Sequence, residues 1–140
     1  METYVPTLAQ LNELLNAPGV RPATVPAHIT YLDATSFALE PLNAALAYAG
    51  GCALFEHRGR GVYEAHMFAQ PGHRGREALE FGKVAVKWLF DVVHASKLTV
   101  AAPNWLPQVA LYCRKLGLEP IGKDLFEEHF QLEAGNGRDY

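Results

Sequence analysis

The residues with the clearest chemical potential lie in one stretch, 62–82, which reads VYEAHMFAQPGHRGREALEFG. The alternation at its start is typical of a strand and places Glu64 and His66 on one face, where either side chain could accept a proton. A turn signal follows, and then the segment 73–76, HRGR, leads into a long apolar-periodic helix. The stretch therefore predicts a strand, a glycine-containing loop and a helix N-terminus in succession.

This loop and helix start are suited to binding an anion. The first backbone N–H groups of a helix have no partner within it, and the helix dipole is positive at that end. Arg74 and Arg76 add positive charge and the paired donors that match phosphate oxygens. The same residues also fit an ordinary strand-to-helix turn with two solvated arginines, so the stretch alone leaves both interpretations open.

The composition fits one globular domain. The 140 residues are 49% hydrophobic and 19% charged, which suffices for a hydrophobic core and argues against a disordered chain. The net charge of −3, without clustered Lys and Arg, argues against nucleic acid as a partner. No apolar run is long enough to span a bilayer and the N-terminus lacks a leader pattern, so we expect a cytoplasmic protein without a membrane partner.

The cysteines and histidines predict neither a metal site nor a thiol enzyme. Cys52 and Cys113 lack the spacing of a metal or redox motif, and we expect both to be reduced and partly buried. None of the six histidines has the spacing of a zinc site. A hydrolase with a nucleophilic cysteine is disfavoured, because Cys113 lies within a helical pattern and no histidine–acid arrangement accompanies it.

The other elements follow from apolar periodicity and turn signals. A helix is predicted at 6–16, a short strand or turn within 31–40, and antiparallel strands at 44–48, 52–56 and 62–69. A helix at 75–95 and a strand at 97–101, parallel to the strand before the helix, complete a βαβ unit. A helix at 104–116, stopped at Gly117, and strands at 118–121 and 125–132 close the chain.

This order of elements predicts a mixed α/β domain with three layers. Its central sheet should have about six or seven strands, mostly antiparallel with one parallel pair, and helices should flank it. The predicted domain spans residues 1–133, and residues 134–140 are expected to form a frayed tail.

Two segments of the chain resemble the GCN5-related N-acetyltransferases. Residues 71–76, PGHRGR, are similar to the P-x-x-R-G-x-G-x-G/A sequence that opens a long helix in that family. The second segment runs from Asn104 through Tyr112 to Gly117 and keeps the family's order of strand, Asn, Tyr and Gly. The chain is also similar, more weakly, to shortened acetyltransferase-like proteins of bacteriophages.

The resemblance implies transfer of an acetyl group from acetyl-CoA to an amine of a small molecule or protein, by direct attack and without a covalent intermediate. Strands 62–69 and 97–101 would splay apart around the cofactor, and a backbone N–H near Phe68 would polarise the acetyl carbonyl. The pantetheine arm would bind near the end of the first strand and the pyrophosphate in the following loop. The residues implied for cofactor binding are Met67, Phe68, Ala69, His73, Arg74, Gly75, Arg76, Glu77, Ala78 and Asn104.

The resemblance also implies how protons move. Glu64 or His66 would take the proton of the amine, directly or through a water, and Tyr112 would protonate the leaving thiolate. Each of these residues has a structural alternative: a solvated carboxylate for Glu64, a core histidine for His66 and a packing aromatic for Tyr112. Asn104 fits equally well as a helix N-cap.

Three departures from the family pattern support a second hypothesis. Glu77 stands where the family prefers glycine, which brings a carboxylate near the expected pyrophosphate. Ala78-Leu79 follows where another small residue is usual. The interval from Asn104 to Tyr112 is one residue longer than usual, and Leu118 in place of the usual Phe is a milder change. The alternative is a catalytically inactive binding or assembly protein, for example phage-related, that keeps the fold. The acceptor and the oligomeric state, including a homodimer, stay open.

Overall fold

The computed structural model describes residues 1–21 and 25–135. The helices are α1 (Leu8–Leu15), α2 (Thr35–Leu39), α3 (Arg76–Asp91) and α4 (Pro107–Lys115). The strands are β1 (Ala44–Tyr48), β2 (Gly51–His57), β3 (Val62–Ala69), β4 (Lys97–Pro103), β5 (Glu119–Lys123) and β6 (Glu127–Glu133). A 3-10 turn, Pro71–His73, lies between β3 and α3. Most of the predicted tail, residues 136–140, lies outside the described residues.

The six strands form one sheet in the order β1-β2-β3-β4-β6-β5. All neighbouring strands are antiparallel except β3 and β4, which are parallel and connected through α3. The predicted meander of three antiparallel strands, the βαβ unit and the closing strand pair are therefore confirmed. Within the described residues, no helix is long and apolar enough to cross a membrane.

Helices cover the sheet on both faces, which gives the three predicted layers. The larger core lies between the sheet and helices α3 and α4, and it contains the fully buried Phe55 and Phe130. A smaller core lies under α1, where Leu11 packs against the opposite face of β1 and β2. Because side chains alternate along a strand, Ala65 of β3 faces the larger core whereas Phe68 contacts the smaller one.

The ends of α1 and α4 follow from local chemistry. Thr7 and Gln10 form a capping box at α1: each side chain accepts a hydrogen bond from the other's backbone N–H, at 3.2 and 2.8 Å. At the end of α4, Gly117 has a φ of 85°, in the left-handed region that favours glycine. The Leu118 N–H then donates to the Cys113 carbonyl at 3.0 Å, which completes a Schellman motif and confirms the predicted stop.

Three local predictions are wrong. Residues 31–40 contain the short helix α2 in place of a strand or turn, and the Asp33 carboxylate accepts the backbone N–H of Thr35 at its start. Helix α4 begins at Pro107 and not at 104, since proline has the fixed φ that suits a first helical position. Helix α3 ends at Asp91 and not at 95, because the chain then turns through His94 with a φ of 65°.

Candidate functional site

The sheet opens between its two parallel strands. Strands β3 and β4 are registered only over the residue pairs that run from Val62 to Glu64 of β3. Beyond these pairs, β3 stays paired with β2 up to Ala69, and β4 stays paired with β6 up to Pro103. The two strands therefore separate towards their C-terminal ends and leave a gap, as the sequence resemblance implied.

The backbone of β3 offers polar groups to this gap. The Val62 carbonyl and the Gln70 N–H, at the two ends of the strand, bond towards the β2 side at 2.7 and 2.8 Å. Successive residues of a strand direct their backbone groups to opposite sides, so even-numbered residues face β2 and odd-numbered residues face β4. Met67 therefore presents its N–H and C=O to the gap, whereas those of Phe68 face β2. The oxyanion donor predicted near Phe68 fits the Met67 N–H better than that of Phe68 itself.

A cleft of about 640 Å³ fills the gap and continues between α3 and α4. Its interior is mainly apolar, with side chains such as Leu98, Val100 and Val109. Among the described residues, those that line it include three Arg and Lys side chains and no Asp or Glu, although the whole chain has a net charge of −3. This lining suits a ligand with an apolar arm and an anionic end.

The predicted anion site at residues 73–76 has a suitable backbone. Gly75 has φ 75° and ψ −127°, a conformation that residues with a side chain rarely adopt, and it turns the chain into α3. No side chain of the described residues caps this helix, so its first N–H groups remain available to a ligand. A Cβ on Gly75 would meet nothing within 4 Å, which shows that the space beside the loop is open.

The carboxylate of Glu77 does not line the cleft. Both of its oxygens lie 3.0 Å from Nδ1 of His73, one helical turn earlier in the chain, and neither residue lines the cleft. The Tyr48 hydroxyl donates to the His73 carbonyl at 2.9 Å and fixes the loop from the side of β1. Glu77 is therefore held by a hydrogen bond within the loop, and Ala78 takes the position that lines the cleft.

Arg74 is largely committed to protein carbonyls. Its Nε donates to the Ala69 carbonyl at 3.2 Å and its Nη2 to the Gly19 carbonyl at 2.7 Å. These bonds connect the loop with the end of β3 and with the segment that follows α1. Arg76, which also lines the cleft, has no hydrogen-bond or ion-pair partner within residues 1–21 and 25–135. Arg76 is therefore the more available cation at the start of α3.

Tyr112 lies in the cleft and contacts the first turn of α3. Its hydroxyl donates to the Ala78 carbonyl at 2.6 Å, and burial raises its pKa, so the hydroxyl keeps its proton at neutral pH. Gly82 makes this contact possible, because a Cβ there would overlap the Tyr112 hydroxyl. The geometry is compatible with both predicted roles, a proton donor in the cleft and a packing residue between the helices.

His66 reaches the cleft and Glu64 does not. The Glu64 carboxylate accepts bonds from Arg58 Nη2 and Nε at 2.9 and 3.1 Å, and the same guanidinium pairs with Glu56 at 2.6 Å. The other oxygen of Glu64 lies 3.6 Å from Nε2 of His66, whose side chain lines the cleft and is 45% exposed. Of the two predicted bases, only His66 lines the cleft, and Glu64 lies beside the imidazole of His66.

Asn104 lies outside the cleft. Its side chain donates to the Asp124 carbonyl at 3.3 Å, its N–H donates to the Phe126 carbonyl, and it lines a separate hollow beside Trp105. It does not cap α4 either, because the N-cap of that helix is Leu106. Binding of the pantetheine arm by Asn104 thus stays a prediction, and the position of Asn104 outside the cleft does not support it.

The cysteines do not form a nucleophilic site. Both are unpaired and buried, and burial raises the pKa of Cys52 and of Cys113 to about 12. Neither thiol is therefore ionised near neutral pH, which removes the support for a thiol enzyme. In the described part of the chain, no group of three or more His, Cys, Asp or Glu is arranged to hold a metal ion.

A mixed sheet that opens between its parallel strands, beside an uncapped helix N-terminus, is the architecture expected for the GCN5-related N-acetyltransferases. No family model and no curated protein sequence matches the chain. Solved structures confirm the fold. A chimera of the spermidine N-acetyltransferase SpeG from Vibrio cholerae and hSSAT has a TM-score of 0.75 at 10% identity, over 94% of each chain.

Two further structures carry ligands. The spermidine N-acetyltransferase from Vibrio cholerae in complex with CoA and spermine has a TM-score of 0.70 at 10% identity, over 94% of each chain. The N-acetyltransferase PseH from Campylobacter jejuni in complex with acetyl coenzyme A has a TM-score of 0.62 at 10% identity, over 71% of this chain and 74% of that chain. At this identity the likeness establishes the fold, and the activity has to be argued from the residues.

Proposed function

We propose that the protein is an N-acetyltransferase that transfers the acetyl group of acetyl-CoA to an amine. The observation that carries the proposal is the cleft through the opened sheet, which is apolar inside and lined by Arg74, Arg76 and Lys115 without any described carboxylate. Acetyl-CoA matches this lining, since it joins an extended, mostly uncharged arm to a strongly anionic nucleotide. Structures of the same fold with acetyl-CoA or CoA bound support the assignment.

Two parts of the cleft would bind the cofactor, and Arg74 would support one of them. The N–H groups at the start of α3, together with Arg76, would bind the pyrophosphate. The free backbone edge at Met67 would form hydrogen bonds with the amides of the pantetheine arm. The arm would thus take the place that β4 would occupy beside β3 in a closed sheet. Arg74 would act mainly by holding the loop against Ala69 and Gly19.

The catalytic roles follow from the side chains that reach the cleft. His66 would remove a proton from the amine, and Glu64, itself held by Arg58, would orient the imidazole. The amine nitrogen then attacks the thioester carbonyl, so that a C–N bond forms and the C–S bond breaks. The Met67 N–H would stabilise the oxyanion, and Tyr112 would return a proton to the departing thiolate.

The acceptor in this proposal is an amine of a small molecule or protein. The spermidine N-acetyltransferases of the same fold act on such an amine, which is consistent with this class without naming the acceptor here. A cytoplasmic location, a homodimer and a relationship to phage proteins stay predictions.

Thermal melting with acetyl-CoA tests the proposal directly. A ligand at about 100 times its dissociation constant stabilises the native state by roughly 2.7 kcal/mol, which raises the Tm by several degrees for a domain of this size. We expect acetyl-CoA and desulfo-CoA to produce the shift and ATP to produce a smaller one, because ATP lacks the pantetheine arm. No shift at millimolar acetyl-CoA would contradict the proposal and favour the catalytically inactive binding protein.

Replacing Tyr112 by phenylalanine distinguishes the two roles of its hydroxyl. If the hydroxyl protonates the thiolate, Tyr112→Phe should lower kcat about 10- to 100-fold and leave the Kd for acetyl-CoA nearly unchanged. Tyr48→Phe is the matched control, since Tyr48 also lines the cleft, also donates to a loop carbonyl and has a pKa raised by burial to about 12. Equal, small losses in the two variants would assign Tyr112 to packing alone.

A further inference from the structure

The first turn of α3 carries an acidic residue, Glu77, at the end of the helix that the proposed function assigns to the pyrophosphate. A carboxylate at this place is normally attracted by the unpaired N–H groups and by the positive end of the helix dipole. It would then compete with a bound phosphate for the same donors and repel it. The hydrogen bonds of Glu77 go to His73 instead, and not to these N–H groups.

The imidazole of His73 is the group that occupies this carboxylate. Its Nδ1 lies 3.0 Å from each of the two Glu77 oxygens. An ionised carboxylate only accepts hydrogen bonds, so Nδ1 carries the proton and is the donor. Neither side chain lines the cleft, whereas the flanking residues Arg76 and Ala78 do. The pair therefore lies beside the cofactor site and not in it.

The turn between β1 and β2 fixes the position of the His73 ring. Gly50 belongs to this turn, and a Cβ there would overlap the imidazole, so the ring lies directly against the glycine. The ring of Tyr48 meets the imidazole edge-on, with 6.4 Å between the ring centroids, and its hydroxyl holds the His73 carbonyl. These contacts place Nδ1 independently of the carboxylate that it binds.

The loop is also held on its other side, by the segment that follows α1. A Cβ on Gly19 would overlap the ring of Pro71, and the Gly19 carbonyl accepts a hydrogen bond from Arg74 at 2.7 Å. The backbone of the loop thus has contacts that do not involve Glu77. Loss of the bond between His73 and Glu77 should therefore free the carboxylate without displacing the loop.

We propose that His73 is a positioning residue that keeps the Glu77 carboxylate from the N–H groups at the start of α3. The proposal rests on the proposed function, in which those N–H groups bind the pyrophosphate of acetyl-CoA. It adds a requirement for a side chain that does not itself touch the ligand. The chain thereby accommodates a glutamate where the acetyltransferases that it resembles prefer glycine.

His73→Phe tests this role, because phenylalanine keeps an aromatic ring beside Gly50 and removes the nitrogen donor. In calorimetric titration we expect the Kd for acetyl-CoA to rise about 5- to 10-fold, the scale of one charge interaction in a solvated site. Adding Glu77→Ala should return the Kd to that of the unmodified protein, and Glu77→Ala alone should bind at least as tightly. Lys87→Ala is the matched control: it removes another i, i+4 pair of α3, with Asp91 at 3.0 Å, and should leave the Kd unchanged.

The double variant separates the effect of the freed carboxylate from a structural defect. A Kd that stays high in the double variant would mean that the loop had lost its shape, and would overturn the proposal. An unchanged Kd in His73→Phe, or weaker binding by Glu77→Ala alone, would also overturn it. If the unmodified protein did not bind acetyl-CoA, the proposed function would fall together with this inference. If the larger ring of His73→Phe prevented folding, His73→Ala gives the same comparison with a smaller side chain.

Discussion

His66→Ala should lower kcat for acetyl transfer about 100- to 1,000-fold and leave the Kd for acetyl-CoA nearly unchanged. General base catalysis contributes rate factors of this size, and His66 is the proposed base because it lines the cleft whereas Glu64 is paired with Arg58. The side chain is 45% exposed, so its removal should cost little stability. Steady-state kinetics with a saturating amine and titration of acetyl-CoA measure the two quantities separately.

His129→Ala is the matched control for this variant. Like His66, His129 lies on a strand, is partly exposed and stands beside a carboxylate, with Nε2 3.3 Å from Asp124, but it does not line the cleft. We expect this control to keep full activity. If His66→Ala were equally active, the histidine would not be the base, and a large loss in Glu64→Gln would then assign the proton transfer to the carboxylate. A small loss in Glu64→Gln fits a residue that orients the imidazole.

The fold could be predicted because its strongest signals are local. Gly50-Gly51 marks the hairpin between two apolar runs, and the long periodic helix after residue 75 leads into a β-branched strand. The elements that were missed lack such signals: α2 has five residues and no buried side chain, so no periodicity reveals it. The apolar pattern of α4 extends back to residue 104, whereas the helix begins at Pro107, which favours a first helical position.

The site could be predicted only where neighbours in space are neighbours in sequence. The pairing of His73 with Glu77 follows the i, i+4 rule, so the sequence carries a local signal for it. The bond from Arg74 to the Gly19 carbonyl joins residues 55 apart and has no local signature. Lys115 is a lining residue that the family motif does not include, although its spacing of three from Tyr112 places it on the same helix surface. Long-range contacts thus decide which of the predicted cations remain available to a ligand.

Gly75→Ala should abolish acetyl-CoA binding and lower the Tm by several degrees. At φ 75° and ψ −127° an alanine is strained by roughly 1–3 kcal/mol, because its Cβ conflicts with its own backbone even though no neighbour lies within 4 Å. The loop can relieve this strain only by rotating the N–H groups that begin α3 away from the ligand. Differential scanning fluorimetry with and without acetyl-CoA measures both effects.

Gly72→Ala is the matched control for Gly75→Ala. It tests whether the effect comes from the left-handed conformation of Gly75 or from a general loss of flexibility in the loop. Gly72 lies three residues earlier in the same turn, has no left-handed φ and would also place its Cβ in open space. An alanine there should leave the Tm and the ligand-induced shift nearly unchanged. If Gly75→Ala remained folded and still bound acetyl-CoA with the original affinity, the start of α3 would not hold the pyrophosphate. The anionic end of the ligand would then have to be bound by Arg76 and Lys115 through their side chains alone.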